Sequence, residues 1–142
     1  MNKPVLFLRI ASALTFIHAV LHTVGGVFGK IGPGAAAVAA EAMKANQFLV
    51  MGNMRSFWDF YRGLGLGATI SMIAESILML QMAALAKTGA RRLRPMMATL
   101  LVAYAVFSIN SYMYFFAGPV IAELLIALFL GLAIATAGKE RA

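Results

Sequence analysis

The chain of 142 residues contains no cysteine, and only 12% of its residues are charged. Without cysteine it forms no disulfide, no thiolate zinc site and no iron–sulfur cluster, and it has no thiol redox chemistry. A soluble domain averages about 25% charged and about 45–50% apolar residues, whereas 62% of this chain is hydrophobic. A chain with so many apolar residues cannot form a surface that faces water throughout. The composition therefore predicts a membrane protein with no sizeable soluble domain.

The length limits the number of membrane crossings. A spanning helix needs about 20 apolar residues, so a chain of this size holds four spans at most. The sequence predicts an all-α fold with one transmembrane domain over residues 1–142 and spans at about 5–24, 57–86, 95–116 and 119–137. Ser56 is a predicted cap of the second span, and Ala117-Gly118-Pro119 joins the last two spans in a tight hairpin. Alternating strand patterns are absent. The predicted architecture is a four-helix transmembrane bundle.

The first predicted loop is the longest. It holds Gly25-Gly26 and Gly32-Pro33-Gly34, followed by an alanine-rich stretch from Ala35 to Asn46 that predicts a short helix. This helix is too short and too weakly apolar to span a membrane. We expect it to lie at the membrane surface or to fold back against the outer end of the bundle.

The distribution of basic residues predicts the orientation. The net charge of +7 does not indicate a nucleic-acid partner, because the basic residues flank apolar spans and form no separate basic domain. One side holds Lys3, Arg9, Lys87, Arg91, Arg92, Arg94, Lys139 and Arg141, and the other holds Lys30, Lys44, Arg55 and Arg62. By the positive-inside rule, both termini are cytoplasmic and the long first loop faces outward. The predicted location is a membrane that the chain crosses several times.

The informative side chains are the polar ones within the spans, because an unpartnered polar group in hydrocarbon costs several kcal/mol. The predicted catalytic residues are His22, Asp59, Glu75 and Glu123. The predicted ligand-binding residues are His18, Trp58, Tyr61, Arg62, Asn110 and Tyr114. Trp58 and Tyr61 are expected at the outer boundary of the membrane, and Glu75 lies deeper. Because consecutive spans run in opposite directions, the other seven are expected in the outer half of the membrane. They predict a polar layer that opens outward.

Each feature also has a structural interpretation. His18 and His22 share one helical face, but a metal needs a third ligand, which Asp59, Glu75 or Glu123 would have to supply. A hydrogen-bonded or proton-handling role is favoured, and no metal or cofactor is predicted. Asp59 and Arg62 have the spacing of an ion pair at a helix start. A carboxyl in mid-membrane is either protonated or paired with a cation, and the protonated form is a usable general acid or proton carrier.

Two motifs carry a resemblance to a known group of proteins. They are His22-Thr23-Val24-Gly25-Gly26 and the run from Arg55 to Leu66, which contains Trp-Asp-Phe-Tyr-Arg-Gly. There, and again from Tyr114 to Pro119, the chain resembles a family of small bacterial membrane proteins that are broadly similar to DoxX-like four-helix membrane proteins. The resemblance implies the fold but no activity. It also implies that His22, Trp58, Asp59, Tyr61 and Arg62 belong to a shared outer site, with His18 outside the motif.

Three functions fit these observations. The first is binding of a small lipophilic molecule, with acid–base chemistry of the isomerase or cyclase type, at the expected polar layer. The second is an accessory subunit of a larger membrane complex, in which Gly63, Gly65 and Gly67 lie at a protein interface. The third is a proton- or metal-coupled carrier that works as a homo-oligomer, because four helices alone leave little room for alternating access. Membrane lipid is the expected surrounding in each case.

Overall fold

The computed structural model describes residues 2–138, and this part of the chain is mostly helical. The elements in chain order are α1 (Lys3–Leu21), a π-helical turn (His22–Val27), α2 (Ala35–Ala45), β1 (Gln47–Val50), β2 (Asn53–Ser56), α3 (Phe57–Gly89), a 3-10 turn (Ala90–Leu93), α4 (Arg94–Tyr114) and α5 (Ala117–Thr136). Lys139 and Arg141, which contribute to the predicted orientation, lie outside the described residues.

Three helical segments are long and apolar enough to cross a membrane. They are Lys3–Val27, Phe57–Tyr114 and Ala117–Thr136. The middle segment contains 58 residues and is divided by the 3-10 turn at Ala90–Leu93. Large apolar side chains are exposed along these helices, as Leu64 and Val102 illustrate at 74% and 62% exposure. Such an apolar surface is compatible with the hydrocarbon interior of a membrane, which offers polar groups no hydrogen-bond partner.

The helix bounds follow from local chemistry. Pro95 lies in the first turn of α4, where the missing amide proton costs nothing. Phe115 and Phe116 form the link to α5, and Ala117 already begins that helix. The loop that the sequence placed at 117–119 therefore lies two residues earlier, because proline is accepted in the first turn of a helix.

A β-hairpin in the first loop was not expected, and the predicted absence of strands is wrong for this segment. β1 and β2 pair antiparallel, with Gln47 opposite Ser56 and Val50 opposite Asn53. Met51 and Gly52 both have positive φ, at 48° and 85°, as a tight hairpin turn requires. Strands of four residues are too short for an alternating pattern to stand out, so sequence periodicity gave no signal.

The described chain divides into two compact units. The first unit comprises residues 2–18 and 72–138, and the second comprises Ala19–Ser71. In the first unit, α4 packs along α5. Its core combines large apolar side chains, such as Leu8, Met97 and Leu130, with many alanines that let helices approach closely. Within this unit Ser12 and Ser76 each donate a hydrogen bond to the other's carbonyl, at 2.8 and 3.0 Å, which joins α1 to α3.

Candidate functional site

The second unit places the π-helical turn directly after α1. The amide of Phe28 donates to the carbonyl of Thr23 at 3.0 Å, the five-residue spacing of a π-helix. Gly29 must lack a side chain, because a Cβ there would collide with the carbonyl of Gly25. Single π-helical turns occur frequently at functional sites. The wide turn is therefore the first structural feature that singles out this end of α1.

His22 has a defined orientation within the turn. Its Nε2 lies 3.1 Å from the carbonyl oxygen of Gly65. Because a carbonyl only accepts hydrogen bonds, Nε2 carries the proton and Nδ1 of the neutral ring keeps its lone pair. A methyl group at Gly26 would lie 3.5 Å from Nδ1. The glycine thus leaves open the side of the ring from which a proton can be accepted.

Hydrogen bonds and one close contact join the turn to α3. The hydroxyl of Thr23 lies 2.6 Å from the carbonyl of Ala19 and 2.9 Å from the hydroxyl of Thr69, which in turn lies 3.1 Å from the Gly65 carbonyl. A Cβ at Gly65 would approach Val27 Cγ2 to 2.9 Å. Since packed carbon atoms do not come that close, the backbones reach this separation only with glycine at position 65.

Ser56 and Asp59 form a reciprocal cap at the start of α3. The amide and hydroxyl of Ser56 donate to Asp59 Oδ2 at 2.8 and 2.9 Å, and the amide of Asp59 donates to the Ser56 hydroxyl at 3.2 Å. This is a capping box, with aspartate in the place of the usual glutamate. The predicted cap at Ser56 is confirmed. Within residues 2–138, Asp59 makes no ion pair with Arg62, so the carboxylate stabilises the helix start instead.

The cation of Arg62 contacts an aromatic ring. Its guanidinium lies 4.9 Å from the centre of the Phe28 ring, within the range of a cation–π contact. Nearby, Trp58 stacks on Tyr61 with 5.3 Å between ring centres, and the Tyr61 hydroxyl donates to the Gly26 carbonyl at 3.0 Å. Tyr61 therefore contacts the π-helical turn, and Arg62 contacts the segment that follows it.

The second unit has an open cleft of about 510 Å³, which lies between the segment after the π-helical turn, α2 and the start of α3. Its aromatic and charged lining consists of Phe28, Lys30, Glu41, Lys44, Trp58 and Arg62. Val27, Ile31, Ala37 and Ala40 supply the aliphatic part. Lys44 Nζ lies 2.7 Å from the Glu41 carboxylate and 5.0 Å from the centre of the Trp58 ring. The lining of the cleft thus combines apolar side chains with cationic ones.

The predicted site residues fall in both units, and the single layer drawn from four helices stays a prediction. The second unit holds His22, Trp58, Asp59, Tyr61 and Arg62, which all lie at the turn or in the first two turns of α3. Trp58 and Arg62 line the cleft. The first unit holds His18, Glu75, Asn110, Tyr114 and Glu123. His18 is partly buried, whereas Asn110 and Tyr114 are exposed on α4.

Glu75 belongs to a hydrogen-bonded group that joins three helices of the first unit. The hydroxyl of the fully buried Tyr104 donates to Glu75 Oε2. The same hydroxyl lies 3.3 Å from the hydroxyl of Thr15, which donates to the carbonyl of Ala11 at 3.0 Å. The group connects α1, α3 and α4, so it supports helix packing as well as any role in proton transfer.

Glu123 joins α4 to α5. Its side chain is only 7% exposed, and its Oε1 accepts a hydrogen bond from the Ser111 hydroxyl at 2.9 Å. Its Oε2 has no hydrogen-bond partner within the described part of the chain. Such an atom is costly to bury. Glu123 therefore has a buried carboxyl oxygen with unused hydrogen-bonding capacity.

Several residues of the site carry no strong sequence signal. Phe28 looks like any loop aromatic, because its partner Arg62 is far along the chain. Thr69 is equally inconspicuous, since threonine is common in apolar helices, whereas Thr23 belongs to the motif that begins at His22. The Glu41–Lys44 pair has the three-residue spacing of a helical ion pair, which is the one signal that could have indicated it.

Within residues 2–138, no group of three or more His, Asp and Glu side chains is placed to hold a metal ion. Comparisons with protein-family models, with curated proteins and with solved structures found no match for this chain. Its function is therefore inferred from the chemistry of its own side chains.

The contact at Gly65 leads to a stability prediction. We expect Gly65→Ala to destabilise the protein by roughly 1–3 kcal/mol, because the new methyl group overpacks against Val27. Gly63→Ala and Gly67→Ala are matched controls, since a Cβ at either position meets nothing within 4 Å. They should stabilise α3 by about 0.5–1 kcal/mol through the higher helix propensity of alanine. Thermal unfolding in one detergent measures all three, and equal midpoints would contradict the assigned contact.

Proposed function

We propose that this chain is an integral protein of the bacterial cytoplasmic membrane with four crossings and both termini inside. The three long apolar segments support membrane insertion, and the 58-residue middle segment is long enough for two crossings. The 3-10 turn that divides it carries Arg91 and Arg92, and arginines next to a span favour the cytoplasmic side. In this arrangement the hairpin and α2 lie on the outer side.

The absence of native cysteine allows a direct test of this orientation. Met51 is 98% exposed at the tip of the β-hairpin, and Thr88 is exposed near the end of α3. In intact cells, Met51→Cys should react with a membrane-impermeant maleimide, and Thr88→Cys should react only after permeabilisation. The reverse pattern would show that the chain is inserted the other way round.

We further propose that the chain binds a small lipophilic molecule in the cleft of the second unit. The observation that carries this proposal is the pairing of aliphatic and aromatic lining with cationic side chains in one open space of about 510 Å³. Ligand sites are typically concave, largely apolar and equipped with a few polar groups that orient the ligand. A cleft of this kind suits a molecule that has an apolar body and one polar end.

Native mass spectrometry of protein released gently from its own membrane tests the binding proposal. We expect a stoichiometric lipophilic compound that is lost in Trp58→Ala, because Trp58 supplies much of the aromatic surface that lines the cleft. Tyr112→Ala is the matched control, since Tyr112 is 80% exposed on α4 and does not line the cleft. A protein that is empty in every form, or a compound that both variants retain equally, would contradict binding in the cleft.

A second candidate function is acid–base transformation, of the isomerase or cyclase type, of a small molecule that reaches His22, which does not itself line the cleft. The orientation of His22 favours it, because the Gly65 carbonyl holds the proton on Nε2 and Nδ1 is left as the base. In an isomerisation, Nδ1 would take a proton from one carbon of the substrate and return it to another. Such a step needs no oxidant or reductant, since no electrons are gained or lost overall.

Deuterium incorporation measures this proton transfer. In D₂O, the co-extracted lipophile should gain carbon-bound deuterium with the native protein, and His22→Gln should slow the exchange by roughly 10²–10⁴-fold, the usual contribution of a general base. Gly26→Ala should also slow it, because its methyl group would lie 3.5 Å from Nδ1. Gly25→Ala is the matched control, since a Cβ there meets nothing within 4 Å. Unchanged exchange in His22→Gln would exclude His22 as the base.

A further inference from the structure

We infer that the ligand of the cleft carries an anionic head group of the phosphate or carboxylate type, held by Arg62 and Lys30. This inference rests on the proposed binding function and specifies its ligand class. It follows from the charges of the lining, from the placement of Arg62 and from the partner that Lys44 already has.

The lining has an excess of positive charge. Lys30, Lys44 and Arg62 are cationic, and Glu41 is the single carboxylate among the lining residues. Glu41 pairs with Lys44 at 2.7 Å, so these two charges offset each other. Lys30 and Arg62 make no ion pair within residues 2–138. Two cationic side chains of one cleft therefore lack a counter-charge from the described chain.

Arg62 is placed to bind an anion rather than to fill space. The Phe28 ring contacts its guanidinium at 4.9 Å, and the side chain is partly buried. A guanidinium that rests against a ring still presents N–H groups at its edge, which match the oxygen spacing of a phosphate or carboxylate. The ring contact also limits the conformations of Arg62, so less entropy is lost when an anion binds.

The apolar side chains of the lining account for the lipophilic part of the ligand. Trp58 and Phe28 offer aromatic area, and Val27 and Ile31 add aliphatic contacts. The ammonium of Lys44 lies 5.0 Å from the Trp58 ring centre. The Trp58 ring therefore lies next to the ion pair of Lys44 with Glu41. A cationic head group would meet two like charges, which repel it. A neutral head group would leave both charges without compensation.

The same anion chemistry has two sources, a membrane amphiphile with an anionic head group and a free inorganic anion. Trp58 separates them experimentally, because it is the only tryptophan of the chain and lines the cleft. Its fluorescence reports binding to the native protein in a neutral detergent. The probes are decyl phosphate, decanol, decyltrimethylammonium and inorganic phosphate.

We expect decyl phosphate to bind roughly tenfold or more tightly than decanol, in line with the strength of one charge-assisted hydrogen bond. Decyltrimethylammonium should bind more weakly than decanol. Arg62→Gln and Lys30→Gln should each weaken decyl phosphate by about tenfold and leave decanol unchanged. Lys30 is exposed, so its replacement keeps the test valid even if Arg62→Gln misfolds.

Arg55→Gln is the matched control. Arg55 belongs to the same unit and carries the same charge, but its guanidinium donates to the Met54 carbonyl at 2.8 Å and does not line the cleft. If Arg55→Gln weakens decyl phosphate as much as Arg62→Gln, the effect is general electrostatics and the assigned anion site is wrong.

The outcomes separate this inference from the proposed function. Equal binding of decyl phosphate and decanol would overturn the anionic head group and leave lipophilic binding intact. Inorganic phosphate that binds as tightly as decyl phosphate would keep the anion site and overturn lipophilic binding. Failure of all four probes to change the Trp58 fluorescence would overturn both.

Discussion

The second unit depends on the close approach of Val27 to the backbone of α3 at Gly65. The missing side chain lets the π-helical turn lie directly against the helix, and the Gly65 carbonyl accepts the proton of His22 Nε2 there. Because the turn is held at this point, Phe28 follows it to the position where its ring meets Arg62. The orientation of the histidine and the shape of the cleft thus share one physical cause, which is the space that a glycine leaves.

The first unit handles its polar side chains differently. Ser12 with Ser76, Tyr104 with Glu75, and Ser111 with Glu123 each form hydrogen bonds between helices. In an apolar environment, where water provides no alternative partner, such bonds join helices that apolar packing alone would hold less specifically. Glu123 Oε2 is the exception, since no described residue offers it a hydrogen bond.

The two charged side chains at the start of α3 have separate partners. Asp59 has the sequence spacing of an ion pair with Arg62, yet it caps α3 through Ser56. The cap satisfies amide groups that the helix start would otherwise leave open. Arg62 consequently has no ion-pair partner among the described residues, and it lines the cleft. This is the basis of the anionic ligand inferred above.

The sequence by itself determined the helical, apolar character of the chain, since composition and run length fix what can lie in hydrocarbon. It also located the cap at Ser56 and singled out His22, Trp58 and Arg62 as residues of interest. Only the tertiary structure decided which partner each one meets. Arg62 contacts Phe28 and not the nearby Asp59. His22 contacts the backbone carbonyl of Gly65, and the sequence gives no sign of this contact because every residue has such a carbonyl. The β-hairpin could not be predicted from hydrophobic periodicity either, because its strands have only four residues. It depends on the turn at Met51 and Gly52 and on Phe48, whose ring centre lies 4.9 Å from that of Phe57. Local chemistry fixes the helices, but contacts between distant segments depend on packing, which sequence spacing does not reveal.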